Sequence, residues 1–459
     1  MMRDLSAASP RLGASHIQRQ AQRGGAISQA GGPSSWLLVA FLSLFLIPVS
    51  LIPSTWGRMV PMPFVGPVWW TDALMLVFAA AAMTLRFVTP LSYRSARTTK
   101  RRLLYPFLAL GLWQTISVAW NGRESVLKAY SVWESILMCG TVVAAVSLGS
   151  GLGEQPRRRL ARLVTILLGG IISVYMVLSF IFPSWRPSAA STNLVTPTLG
   201  FIRVFGPLGA ATALNFILVP ALGLSIGALL SKGSVKSWWA GACMFFLFAV
   251  LATGSRGGLL CLLGFTLTLV VALGVRSLAI IVPCAALFAI IIVLGGVPER
   301  FRSFEDESRA VTYATAWRAL TSSPGSIMFG MGHGAMYSRL HDESMRREYG
   351  QSQWYLFSER TEFGETLRSS HTALLRTLVE SGIVGGIILF GTFGWIALHL
   401  LRHASRERRP FVAEGKALLA GCAGVIPYMA LDEFFVGTPW IVFLWFLYVA
   451  LGSEMVRSE

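Results

Sequence analysis

A histidine stands where a polar stretch of the chain gives way to a long apolar run. It is His371, in LRSSHTALLRTLVESGIVGG, which covers Leu367–Gly386. Ser369 or Ser370 can cap a helix, and His371 would then lie in its first turn. The positive end of a helix dipole disfavours an imidazolium ion, so we expect a neutral ring that can accept a proton. His371 is therefore a candidate base toward a hydroxyl group, with a structural cap as the alternative.

Two arginines next to apolar runs are suited to bind an anion. Arg256 lies in LATGSRGGLLCL, among glycines that allow a tight turn and close approach of a ligand, and Arg203 lies in FIRVFGPLGAATALN. Arginine binds the oxygens of a diphosphate bidentately and keeps its charge when water is excluded. The alternative is that both side chains extend to lipid headgroups.

A third arginine belongs to a predicted helix in the polar part of the chain. Arg309, Tyr313 and Trp317 recur every four residues, which places them on one face of a helix. Ser323, Pro324 and Gly325 are expected to end that helix. The face could bind a ligand through Arg309, or could lie on a membrane with its aromatic rings down.

The segment after that helix is rich in glycine. Gly330–Gly334, with the sequence GMGHG, is predicted to form a flexible turn that can pass under a bulky substrate. We expect His333 and His341 to be surface histidines. Further along, Gly382 is expected to bend the helix that follows His371.

The composition excludes most soluble classes. Of the 459 residues 54% are hydrophobic and 13% charged, and the mean hydropathy is +0.60. Many apolar runs approach 20 residues, which is about the length that a helix needs to cross a bilayer. The predicted class is an all-α polytopic membrane protein with about twelve transmembrane helices and one large, partly helical extracytoplasmic loop between helices 9 and 10.

The predicted domain organisation follows these runs. A disordered cytoplasmic tail at 1–35 precedes helices 1–9 at 36–297, the large loop occupies 298–377, helices 10–12 occupy 378–453, and 454–459 is a cytoplasmic tail. The predicted spans are 36–52, 68–88, 103–119, 126–149, 160–182, 207–230, 238–254, 258–275, 278–297, 378–401, 416–434 and 438–453.

The positive charge is a signal of topology. The net charge is +17, and most lysines and arginines fall in segments that are cytoplasmic if the N-terminus is inside. Both termini are then cytoplasmic, and nucleic-acid binding has little support. The five cysteines all lie in apolar runs without CxxC spacing, so we expect no metal site, no disulfide framework and no cofactor.

Charged residues near the outer ends of the predicted spans suggest a polar cavity. The charged residues on this side are Arg256, Arg203, Asp72, Asp432, Glu433 and Glu134. Glu134 lies about 12 Å from the outer end of its predicted span. Charges at such positions are functional candidates by default. Arg203 and the four acidic residues are candidates to line this cavity, with ion pairing among them at the headgroups as the alternative.

Together these stretches resemble one family, the superfamily of O-antigen ligases and O-antigen (Wzy-type) polymerases. TGSRGGLL, SRAVTYATAWRALTSSPGSIMFGMGHGAMYS and SSHTALLRTLVESGIVGG follow the family's order of motifs over about residues 200–400. GFIRVFGPLGAATALN is similar to its arginine–glycine stretch. The chain departs from the pattern at Thr372, where the family usually has asparagine.

The resemblance implies an inverting, metal-independent glycosyltransferase of the GT-C type in the bacterial plasma (inner) membrane. Its donor would be an undecaprenyl-diphosphate-linked glycan at the outer leaflet, with the active site facing the periplasm. His371 would activate or orient the acceptor hydroxyl group. Arg256 and Arg309, and Arg203 as a further member, would bind the diphosphate and stabilise its growing charge.

Several activities remain open. We favour polymerisation of repeat units into surface polysaccharide or exopolysaccharide, because two carrier-linked substrates need no separate acceptor-docking feature. Ligase-type transfer of the finished glycan to lipid A core or another acceptor is the alternative. A lipid-linked sugar flippase would also need a cationic cavity, but not the long loop, and a scaffold is the third class. A flippase and a chain-length regulator are candidate partners.

Overall fold

Helices make up nearly all of the described chain. The computed structural model describes residues 59–62, 66–69, parts of 75–84, 96–120, 125–150, 152, 154–181, 211–231, 235–253, 255–274, 282, 307–333, 335, 373–406, 413–429 and 439–457. The helices are α1 (Ala96–Ser117), α2 (Ser125–Ser150), α3 (Glu154–Ile181), α4 (Ala211–Leu230), α5 (Lys236–Ala252), α6 (Arg256–Leu273), α7 (Glu307–Thr321), α8 (Pro324–Phe329), α9 (Ala373–Arg406), α10 (Ala413–Gly424), α11 (Ile426–Met429) and α12 (Pro439–Arg457). A 3-10 turn, Val118–Trp120, extends α1.

Most predicted spans coincide with helices. The spans at 103–119, 126–149, 160–182, 207–230, 238–254, 258–275 and 378–401 correspond to α1–α6 and α9. The span at 416–434 is divided into α10 and α11, and α12 continues past the predicted end at 453 to Arg457. The span at 36–52 and the tail at 1–35 lie outside the described residues, as does the span at 278–297 apart from residue 282.

One short β-hairpin departs from the otherwise helical structure of the described chain. Met59–Met62 (β1) pairs antiparallel with Gly66–Trp69 (β2), with Met59 opposite Trp69. The predicted span at 68–88 therefore begins inside a strand. The physical reason is in the sequence: the apolar stretch around β1 and β2 contains several prolines, whose missing N–H groups disfavour a helix interior.

Two described helices are long and apolar enough to cross a bilayer. They are Val132–Ser150 and Ala373–Arg402. The shorter apolar helices are Leu214–Leu230, Lys236–Ala252, Gly257–Leu273 and Ile441–Val456. Several of these helices expose large apolar side chains, including Ile387 on α9 at 68% exposure and Leu267 on α6 at 61%.

The core is centred on α12 and α10. Trp445, Tyr448 and Phe446 of α12 are fully buried, and every residue of α10 is buried. Helix α10 packs against α4 so closely that a Cβ atom at Gly223 would overlap the carbonyl group of Ala417. The backbone of α10 therefore touches its neighbour directly.

Charged side chains mark the two ends of this helical core. At the end of α2 near Ser150, Arg157 of α3 donates to the Glu454 carbonyl at 2.7 Å, and Arg162 pairs with the Glu414 carboxylate. Glu134 lies sixteen residues earlier on α2, about 24 Å away along the helix axis. We refer to these as the Ser150 end and the Glu134 end.

Candidate functional site

The site at the Glu134 end is built on a short turn between two helices. Ser323 caps α8: its side-chain oxygen accepts from the backbone N–H of Ser326 at 3.1 Å, and Pro324 takes the first helical position. Helix α8 ends at Phe329 and is followed by Gly330 as its C-cap, whose φ of 76° lies in the left-handed region that glycine tolerates. The chain then turns through Gly332 to His333.

This turn is bonded to a break in α9. Gly382 has a φ of 64° inside α9, so the helix bends there, as the sequence predicted. A bend deprives nearby carbonyl groups of their i+4 donors. The turn supplies donors: the Met331 N–H reaches the Val379 carbonyl at 2.7 Å and the Gly332 N–H reaches the Glu380 carbonyl at 2.9 Å.

Helix α1 holds the same turn from its other side. The Ser117 hydroxyl accepts from the His333 N–H at 3.0 Å. The Trp113 indole donates to the Ser381 carbonyl at 3.4 Å, and its ring lies 6.5 Å from that of Phe329. The turn is thus fixed between α1 and the bend of α9.

Four charged or titratable side chains meet beside the turn, and we call them the Glu134 cluster. The Glu380 Oε2 atom lies 2.9 Å from His333 Nδ1 and accepts from Arg376 Nε at 3.1 Å. Glu134 Oε2 lies 3.7 Å from both Arg376 NH2 and His333 Nε2. The cluster therefore joins α2, α9 and the turn.

The burial of the cluster is uneven. His333, Arg376 and Glu380 are 5%, 6% and 3% exposed, whereas the Glu134 side chain is 24% exposed. Two carboxylates therefore face one guanidinium and one imidazole in the cluster. When His333 Nδ1 carries the hydrogen and donates it to Glu380, the Nε2 atom of the same ring is directed toward the partly exposed Glu134 carboxylate. The arrangement orients the imidazole ring between a buried carboxylate and a partly exposed one.

The expectation for His333 was wrong. The sequence predicts a surface histidine, whereas the structure buries the ring against Glu380. The missed signal is Glu380 itself: a carboxylate inside an apolar run requires a partner, and Arg376 four residues earlier supplies only one. His341 lies outside the described residues.

The predicted site residues fall in different parts of the chain. Arg256 is the first residue of α6, and Arg309 is the third residue of α7. His371 and Arg203 lie outside the described residues, although α9 begins at Ala373, two residues beyond His371. Asp72, Asp432 and Glu433 also lie outside them.

The start of α6 is tightly packed. A Cβ atom at Gly257 would overlap the Tyr428 ring, and one at Gly258 would lie 3.1 Å from the Asn215 amide. Tyr428 belongs to α11, and Asn215 to the first turns of α4. Protein side chains thus occupy the space beside both glycines, which fixes the direction in which α6 leaves Arg256.

The predicted helix around Arg309 is present as α7. Its Trp317 is 66% exposed and its Tyr313 39% exposed, so the aromatic face points away from the core. On a different face Ala316 and Ala319 pack against Val379 of α9. Helix α7 is therefore anchored next to the bend of α9.

Among the described residues, no group of three His, Cys, Asp or Glu side chains is arranged to hold a metal ion. No protein-family model matches the chain, and no curated protein matches it significantly.

Proposed function

We propose that the chain is an inverting glycosyltransferase that polymerises undecaprenyl-diphosphate-linked repeat units into surface polysaccharide or exopolysaccharide. The observation that carries the proposal is the bonding of the turn at Met331 and Gly332 to Val379 and Glu380 beside the bend of α9. These two segments are separate motifs in the sequence that resemble one enzyme superfamily. Their backbones meet at Val379 and Glu380, about two helical turns after His371 in the sequence. This contact lies at the Glu134 end of the core.

We further propose that the chain spans the bacterial plasma membrane with about twelve helices and with the Glu134 end outward. The two span-length helices support this placement, as does the exposure of Ile387 and Leu267, which would be costly in water. The basic residues Arg157 and Arg162 at the Ser150 end agree with a cytoplasmic location for that end.

In the proposed reaction the acceptor hydroxyl group attacks the anomeric carbon of the donor sugar. The bond from this carbon to the diphosphate oxygen breaks, and the configuration inverts. His371 would take the proton from the hydroxyl group. Arg256, Arg309 and Arg203 would stabilise the negative charge that develops on the diphosphate.

The test uses the purified full chain in lipid nanodiscs with an undecaprenyl-diphosphate-linked repeat unit. We expect His371→Ala and Arg256→Ala each to lower the rate of chain extension at least ~100-fold, the size typical for loss of a base or an oxyanion partner. Arg402→Ala, at an exposed position of α9, is the matched control and should retain activity. Near-normal extension by both site variants would refute the catalytic roles.

Analysis of surface glycan in a deletion strain separates polymerase from ligase. Loss of long chains, with single repeat units remaining on the carrier, is expected for a polymerase. Accumulation of finished polymer on the carrier would instead identify a ligase.

A further inference from the structure

Three ionisable residues of the Glu134 cluster lie inside helices that are long and apolar enough to cross a bilayer. Glu134 belongs to Val132–Ser150, and Arg376 and Glu380 belong to Ala373–Arg402. Ionisable groups within such helices are costly to bury and are functional candidates by default. The proposed reaction assigns no role to any of the three.

The two carboxylates of the cluster are bonded differently. Glu380 Oε2 lies 2.9 Å from His333 Nδ1 and accepts from Arg376 Nε at 3.1 Å, both of them hydrogen-bond distances. Glu134 Oε2 lies 3.7 Å from both Arg376 NH2 and His333 Nε2, which is within the range of an ion pair but too long for a hydrogen bond. Within the described part of the chain, the Glu134 carboxylate therefore accepts no hydrogen bond.

This leaves Glu134 with unused capacity as an acceptor. Its side chain is 24% exposed, so most of it is withdrawn from water while part of it stays accessible. An ionised carboxylate can accept about four hydrogen bonds through its two oxygens, and polar groups at such depth are nearly always bonded. The donors that Glu134 lacks among the described residues can come from a molecule that reaches the Glu134 end and carries several hydroxyl groups.

We propose that Glu134 binds a sugar ring of the glycan substrate by accepting hydrogen bonds from its hydroxyl groups. Neighbouring hydroxyl groups on a sugar ring can donate to the two oxygens of one carboxylate. Arg376 and His333 hold the carboxylate in place before the sugar arrives, so that little ordering is needed on binding. The proposal rests on the proposed function, which supplies a glycan as the substrate.

Binding of two carriers to the detergent-purified full chain tests this site by native mass spectrometry. One is the undecaprenyl-diphosphate-linked repeat unit extracted from the deletion strain, and the other is undecaprenyl diphosphate without sugar. We expect wild type to bind the sugar-linked carrier more tightly. Glu134→Ala should weaken that binding ~10- to 100-fold, the size typical for loss of hydrogen bonds to a charged group, and should leave binding of the bare carrier unchanged. Unchanged binding of the sugar-linked carrier by Glu134→Ala would overturn the proposal.

Two further variants make the result specific. Glu134→Gln keeps the shape of the side chain and one acceptor oxygen, so it should lose less affinity than Glu134→Ala, and it carries the test if the alanine variant melts early. Ile136→Ala, at a 53% exposed position of the same helix, is the matched control and should bind both carriers like wild type. An equal loss of both carriers in the Glu134 variants, or equal affinity of wild type for the two carriers, would overturn the proposal.

The binding measurement separates this site from the reaction because it needs no turnover. Absence of chain extension by wild type would refute the proposed reaction. Binding of the sugar-linked carrier that does not depend on Glu134, in a chain that still extends glycan, would refute this site alone.

Discussion

Glu380 is the residue on which the Glu134 cluster depends. Its carboxylate is buried and accepts from Arg376 while contacting the His333 ring. A lone carboxylate at this depth would lose several kcal/mol of hydration, on the order of the penalty for an unpaired buried ion. The guanidinium and imidazole groups offset that cost, and the same contacts direct His333 Nε2 toward Glu134.

We expect Arg376 and Glu380 to show strong energetic coupling. Glu380→Met alone should lower the free energy of unfolding by about 3–5 kcal/mol, because it removes the closer carboxylate partner of the buried Arg376 charge and leaves only Glu134 at 3.7 Å. Arg376→Met/Glu380→Met should cost about 1–3 kcal/mol less than the sum of the two single variants. Denaturant titration of the four proteins in detergent micelles measures the cycle.

Glu134 provides the comparison within the same cluster. Its side chain is 24% exposed and lies 3.7 Å from its partners, so Glu134→Met should cost about 1 kcal/mol or less. A coupling energy near zero between Arg376 and Glu380, or a larger loss at Glu134 than at Glu380, would contradict this account of the cluster.

The bend of α9 and the turn after α8 form one structural element. Gly330 and Gly382 face each other, and a Cβ atom on either would overlap the other segment's backbone. Both also have positive φ. Glycine is therefore required at both positions for two reasons, the backbone conformation and the close approach of the two segments.

Gly382→Ala should therefore detach the turn. We expect a loss of about 2–4 kcal/mol, the sum of left-handed strain and the broken contact, and faster proteolysis between α7 and α9. Gly391→Ala is the matched control: it lies on the same helix, and nothing approaches its Cβ position within 4 Å. That change should be neutral or stabilising by up to ~1 kcal/mol. Similar melting temperatures for the two variants would contradict the proposed contact.

How far the sequence predicts these elements depends on the signal that each carries. Hydropathy locates α2 and α9 well because their runs are long, and the bend follows from Gly382. The hairpin at Met59–Met62 is missed because hydropathy does not distinguish an apolar strand from an apolar helix. The burial of His333 is missed because its partner lies far along the chain, and pairing over such a separation leaves no local pattern.

At the scale of the whole molecule the two ends have different chemistry. The Glu134 end joins the turn, the bend of α9 and a partly exposed carboxylate, while the Ser150 end carries basic residues around α3 and α5. About 24 Å of mostly apolar side chains separates Glu134 from Ser150 on α2. Such polarity suits a protein whose two ends meet different aqueous compartments.

This arrangement predicts which surface residues face outward in cells. In a variant lacking all five cysteines, we expect Trp317→Cys to react with a membrane-impermeant maleimide in intact spheroplasts, because Trp317 is exposed on α7 next to the Glu134 end. Arg402→Cys, exposed near the other end of α9, should react only after permeabilisation. The reverse pattern would invert the proposed topology, and labelling of both residues in intact spheroplasts would contradict a membrane-spanning α9. Since catalysis is not required, the outcome tests membrane placement independently of the proposed reaction.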